Sequence, residues 1–209
     1  MATKTKNSKI LYMVELAILT ALVAVLQLVG SFVKIGALPM SFVLVPIVIG
    51  ACLLGAKAGA FLGFVFGLIT MIAGISGTDP FSWLLWDADP VVFVAICILK
   101  ATLAGLGAGL IYKGLGKAFG GKYKLVQALL ASISAPIINT GIFCAGMLIF
   151  YFGTIPTMFP AAVEQFGGSA VKFIFIGCAG VNFIGEFLVN LVLSPAMVRI
   201  IDVVKKKMR

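Results

Sequence analysis

The stretch "VVFVAICILKATLAGLGAGLIYK", residues 91–113, is built of apolar and small side chains with one lysine, Lys100, near its centre. About 20 such residues, rising 1.5 Å each in an α-helix, cross the ~30 Å hydrocarbon core of a bilayer. The stretch therefore reads as a membrane span. Lys100 then reads as a charge held inside the membrane, where an ionisable group needs a partner or a water-filled cavity.

The rest of the chain agrees. Of 209 residues, 62% are hydrophobic and only 11% charged, far from the balance of a water-soluble domain. Six apolar segments emerge, at about 10–33, 41–56, 58–76, 91–112, 125–152 and 171–201. The expected fold is an all-α integral membrane protein: one domain, 1–209, forming a six-transmembrane-helix bundle. The second segment, at roughly 16 residues, is too short to cross upright and predicts a buried or oblique helix. The link "GAK" at 55–57 is tight, so the second and third segments form a close antiparallel pair. The first apolar run is too long for a signal peptide and lacks a small-residue cleavage site, which makes it a retained span.

Positive charge sorts strongly between the two ends of these segments. Thirteen of the 16 basic residues fall on the side holding both termini and the links after the second and fourth spans, and only Lys34 and Lys172 fall on the other. The positive-inside rule puts both termini in the cytoplasm and the chain in a plasma membrane. The outer connections are then 30–41 with Lys34, 74–90 with Trp83 and Trp86, and 153–169, rich in Pro, Gly and aromatics. Such loops suit the cover of an outward-opening pocket; equally, the tryptophans suit the aromatic belt at the interface. Asp79, Asp87 and Asp89 read as a solvated cap.

Histidine is absent, which removes the usual general base and zinc ligand. The four cysteines lie singly in apolar runs and read as small buried hydrophobes. No HExxH motif and no mid-helix aspartate pair is present. These features argue against an enzyme, and no basic surface with interleaved aromatics supports nucleic-acid binding.

Small residues recur four apart: Gly55, Gly59, Gly63 and Gly67 in the third span, Ala101, Gly105 and Gly109 in the fourth, Ala17 and Ala21 in the first. Such strips let membrane helices approach closely. The glycine strips predict packing within the bundle; the alanine strip is a docking candidate for a partner. Polar residues inside the spans are the candidate ligand contacts. Asn182, Glu186 and Asn190 form one stripe on the sixth span, Asn139 lies mid-way along the fifth, and Lys100 lies about 13 Å below the outer end of the fourth. Lys100, Asn139 and Asn182 can line one cavity with Glu186 at its floor. Alternatively, Lys100 and Glu186 form a buried ion pair that fixes the register of two helices. Lys34, Trp83 and Trp86 complete the candidate substrate-binding set.

Six spans, a short second helix, "AILTALVA" (17–24), "LVPIVIGACLLGAKAGAFLGFVFGLIT" (44–70) and "NFIGEFLVNLVLSP" (182–195) resemble the substrate-binding (S) components of energy-coupling factor (ECF) vitamin transporters. The resemblance implies high-affinity capture of a water-soluble vitamin at the outer face. It further implies delivery inward with a transmembrane scaffold protein and two ATPases, docked through Ala17 and Ala21. The chain has no GxxxxGK[ST] motif, so ATP is hydrolysed by the partners and no cofactor of its own is expected. "ICILKATLAGL" is similar to the corresponding helix of pantothenate-type S components, which carry an arginine where Lys100 stands. A lysine lacks the bidentate fork of arginine. A pantothenate-like acid is the leading ligand and riboflavin the second. Outside this family, a stand-alone channel or structural membrane protein remains the alternative class.

Overall fold

The computed structural model describes residues 2–30, 34–35, 38–39 and 42–207. The described residues are overwhelmingly helical. Helix α1 runs Ala2–Gly30, α2 Leu44–Leu53, α3 Ala56–Ile75, α4 Pro80–Ala88, α5 Pro90–Ala118 and α6 Lys124–Gly146. Short helices α7 (Ile155–Met158), α8 (Pro160–Gln165) and α9 (Ala170–Lys172) precede α10, Val181–Lys207. Two π-helical segments, Met147–Tyr151 and Phe173–Gly180, extend α6 and lead into α10.

Five helical stretches are long and apolar enough to cross a membrane: Lys9–Gly30, Ala56–Ile75, Pro90–Ala118, Lys124–Tyr151 and Ala170–Val203. The second apolar segment forms only the ten-residue α2, about 15 Å long at 1.5 Å per residue. It is apolar all round because it is surrounded. It packs on α1, α3, α5, α6 and α10, and Leu44, Ile47 and Val48 have no exposed surface. Gly55, at φ 100°, makes the turn into α3 in a backbone region open chiefly to glycine.

The two glycine strips meet. A Cβ on Gly59 would strike the carbonyl oxygen of Gly105, one on Gly63 that of Ala101, and one on Gly67 that of Cys97; Gly109 abuts Ala56. Helices α3 and α5 are therefore packed backbone to backbone, which supplies the van der Waals contact that drives helix association in lipid. Backbone cannot swing aside as a side chain can. Gly63→Val is expected to separate the helices and lower the melting temperature of the detergent-purified protein, with an overpacking cost of about 1–3 kcal/mol or more. Gly141→Ala, at a helical site with open space around it, should not lower it. Equal melting of Gly63→Val and the parent would contradict backbone contact.

The sequence reading is corrected at the connections. Residues 74–90 are not an open loop: Asp79 and Asp89 cap α4 and α5, each followed by a proline in the first helical turn. The Asp79 carboxylate accepts from Ser82 N at 3.3 Å and Ser82 Oγ at 2.5 Å, and Asp89 accepts from Val91 N and Val92 N at 3.1 and 3.0 Å. These aspartates are helix caps. The first connection contributes a small antiparallel ladder, β1 (Lys34–Ile35) with β2 (Leu38–Pro39), and 153–169 contains α7 and α8. Pro195 sits within α10 and offers no N–H to Leu191 O; the Ser194 hydroxyl donates to that carbonyl instead, at 2.8 Å.

The core has two parts. One surrounds α2. The other gathers α4, the first turns of α5, the end of α6 and the segments between α6 and α10. In the second, Phe81 stacks on Phe159 with centroids 4.9 Å apart, and Phe159 meets Phe173 at 5.4 Å. This aromatic layer roofs one end of the bundle. The α2–α3 and α5–α6 turns lie together at the other end, where Lys124 Nζ pairs with Asp202 at 2.6 Å.

Candidate functional site

Beneath the aromatic layer lies a narrow cavity of about 70 Å³, partly open to solvent. That is smaller than the ~300–1,000 Å³ of a formed small-molecule site, so a ligand of vitamin size requires the walls to move apart. Its apolar wall includes Phe66, Phe81, Phe93 and Phe143. Its polar wall brings together Lys100 from α5, Asn139 from α6, and Asn182 and Glu186 from α10. Three segments far apart in the chain thus share one cavity, because α6 packs against both α5 and α10.

Lys100 does not pair with Glu186. Among the described residues no carboxylate stands within ion-pair distance of its ammonium; Nζ instead lies over the Phe143 ring, 5.3 Å from its centroid. A π face is a weaker partner for a cation than a carboxylate is. Of the two readings of Lys100 and Glu186, the register-fixing ion pair is not what forms.

The acceptors are under-used as well. Glu186 is 1% exposed, and its Oε1 accepts from Asn182 Nδ2 at 3.3 Å. Its backbone carbonyl accepts from Asn190 Nδ2 at 2.8 Å. Glu186 Oε2, Asn139 Oδ1 and Asn182 Oδ1 are buried without a hydrogen-bond partner. An unsatisfied buried acceptor costs about 1–3 kcal/mol, a cost that donors from water or from a ligand offset where they reach these atoms. The arrangement offers a cation at one point and acceptor oxygens at others. It is complementary to a small molecule with an acid group and separate hydrogen-bond donors.

The remaining candidates lie elsewhere. Trp83 is exposed, and Trp86 stands edge-on to Phe93 at 6.2 Å; neither belongs to the cavity wall. Lys34 lies in β1, and its side chain falls outside the described residues. Ala17 and Ala21 are exposed on α1, whose opposite face buries Leu19, Val23 and Gln27.

Sequence reasoning missed five polar wall residues: Gln27, Thr70, Asp79 (read from the sequence as a solvated acid), Ser82 and Tyr151. Gln27 reaches in from α1 and donates from Nε2 to Thr70 Oγ1 on α3 at 3.4 Å. Gln27 stands alone among apolar residues in "LVAVLQLVG" (22–30), and that isolation was the available signal. Tyr151 closes the π-helical end of α6, its hydroxyl lying 3.0 Å from the carbonyl oxygens of both Leu85 and Asp89. It ties the end of α6 to the α4–α5 junction beside the cavity, and π-helical turns of this kind often mark functional sites. Tyr151→Phe removes that tie while keeping the ring. It should weaken ligand binding by about fivefold to tenfold, from the ~1 kcal/mol of a hydrogen bond, chiefly through faster dissociation measured by ligand wash-out.

The family model for the substrate-specific component of ECF transporters matches residues 11–198. The chain belongs to this family. The pantothenic acid transporter PanT of Lactococcus lactis subsp. cremoris (strain MG1363) is 26% identical over 204 residues, covering 92% of this chain and 94% of PanT. The chain is therefore a multi-pass membrane protein of vitamin uptake, from a family of transporters and not of enzymes.

Proposed function

We propose that this ECF substrate-specific component captures a pantothenate-like acid in the cavity beneath the aromatic layer. The acid's carboxylate meets Lys100, and its hydroxyl and amide donors meet Asn139, Asn182 and Glu186. The single observation behind this reading is the Lys100 ammonium, held against a phenyl ring with no carboxylate within 4 Å among the described residues, within a wall whose unpartnered atoms are acceptors. The relative PanT, named for pantothenic acid, supports the same ligand.

In this reading the aromatic end faces outward and both termini are cytoplasmic, as the basic-residue bias suggests. A transmembrane scaffold subunit and two ATPase subunits supply the energy, the scaffold docking on α1 at Ala17 and Ala21. Lys34, in β1, stands on the outward side in this reading, where it contributes to ligand entry. Trp83 and Trp86 anchor α4 at the interface and do not contact the ligand.

Riboflavin is the second reading, favoured by the phenylalanines of the wall, which suit a flat ring. Uptake of labelled vitamin by bacterial cells lacking their own importer tests the proposal. Pantothenate should accumulate when the chain is co-expressed with an ECF scaffold and its ATPases, and should only bind when the chain is expressed alone. Accumulation of riboflavin without pantothenate would replace the first reading by the second.

A further inference from the structure

A second cavity lies at the opposite end of the bundle, between the α2–α3 turn, the end of α5 and the start of α6. Its wall changes character from one side to the other. Leu53 and Leu54 form an apolar part, while Lys113, Lys124 and Gln127 form a polar one. Gln127 is 3% exposed, and its Nε2 is buried with no acceptor; a half-turn of the carboxamide exchanges which of its two ends is presented. Helix α6 begins here at Lys124 with no side-chain cap and no acidic residue in its first turn. Its leading amides and the positive end of its dipole are therefore unanswered by the chain.

We propose that this cavity is a headgroup site for an anionic phospholipid. The phosphate is held by Lys113, the Gln127 carboxamide and the N-terminus of α6, and the first carbons of the lipid lie against Leu53 and Leu54. Lys124 is already engaged by Asp202 at 2.6 Å, so Lys113 is the principal cation. Location favours a lipid over a free anion. The cavity opens where α2 and α5 end and α3 and α6 begin, at the depth of headgroups, and its apolar side has no use for inorganic phosphate. Lys117 and Lys122 are close in sequence but do not line the cavity.

The test is thermal unfolding of the full chain in detergent, titrated separately with phosphatidylglycerol, phosphatidylcholine and inorganic phosphate. Phosphatidylglycerol should raise the melting temperature saturably, and the other two should not. Lys113→Gln should weaken that effect about fivefold, the worth of one lysine near an anionic headgroup. Adding Gln127→Leu should weaken it further, while Lys117→Gln leaves it unchanged. Lys113 is exposed, so its variant carries the test even where Gln127→Leu fails to fold. An equal response to phosphatidylcholine would overturn the proposal. So would an equal response to phosphate, which would mean a free-anion site. Equal damage from Lys117→Gln and Lys113→Gln would overturn it too, by revealing diffuse charge attraction. Vitamin binding is read separately and does not enter the outcome.

Discussion

Lys100→Met is expected to abolish pantothenate binding by the purified protein while leaving a folded bundle. The methionine keeps the length and apolar stem of lysine and can rest on Phe143, where Nζ now sits 5.3 Å from the ring centroid. It removes only the charge. Truncating one member of a buried charge pair costs about 2–5 kcal/mol, which corresponds to a thirtyfold to several-thousandfold rise in the dissociation constant. Folding should survive because Lys100 stabilises no ion pair among the described residues; unchanged melting and gel-filtration behaviour would verify this. Lys100→Arg is the informative companion. Arginine keeps the charge and adds a bidentate fork, so binding should persist. Full-strength binding by Lys100→Met would remove Lys100 from the site.

Ala17→Trp and Ala21→Trp are expected to do the opposite, sparing binding and stopping uptake. Both alanines are exposed on α1, the least buried of the five long apolar helices. The exposed face of α1 also carries Ile10, Met13, Val14, Ile18 and Leu22, and lies away from the cavity, which α1 meets through Gln27. A close helix–helix contact through alanines has no room for an indole. Uptake in cells carrying the whole transporter should fall to background, while binding to the isolated variant stays within twofold of the parent, or about 0.4 kcal/mol. Unchanged uptake would mean that the partner docks elsewhere.

Much of this was readable in the chain because membrane spans obey few rules. The Gly59, Gly63 and Gly67 strip predicted close packing within the bundle, though not that α5 is the partner, since in lipid a four-residue repeat of missing side chains serves close packing above all. Lys100, Asn139, Asn182 and Glu186 could be placed together because depth in a membrane follows from residue count at 1.5 Å per residue. The short α2 followed from its length alone.

What could not be read depended on contacts rather than periodicity. Whether Lys100 would meet Glu186 turned on side-chain direction, and the lysine turned to Phe143. Asp79 and Asp89 were taken for solvated acids although Asp-Pro before an apolar run is a helix-start signal; the tryptophans of α4 drew the reading toward a loop. Tyr151 and Gln27 gained their roles from the π-helical end of α6 and from the way α1 crosses α3, neither of which leaves a mark in hydropathy.

The central claim is that the cavity holds a small vitamin acid on Lys100. Mass spectrometry of the small molecules released when the purified protein is denatured tests it most directly. Pantothenate should be released from the parent protein in near-stoichiometric amount, and none from Lys100→Met. Release of riboflavin or another uncharged ring compound, in equal amount from both proteins, would contradict it.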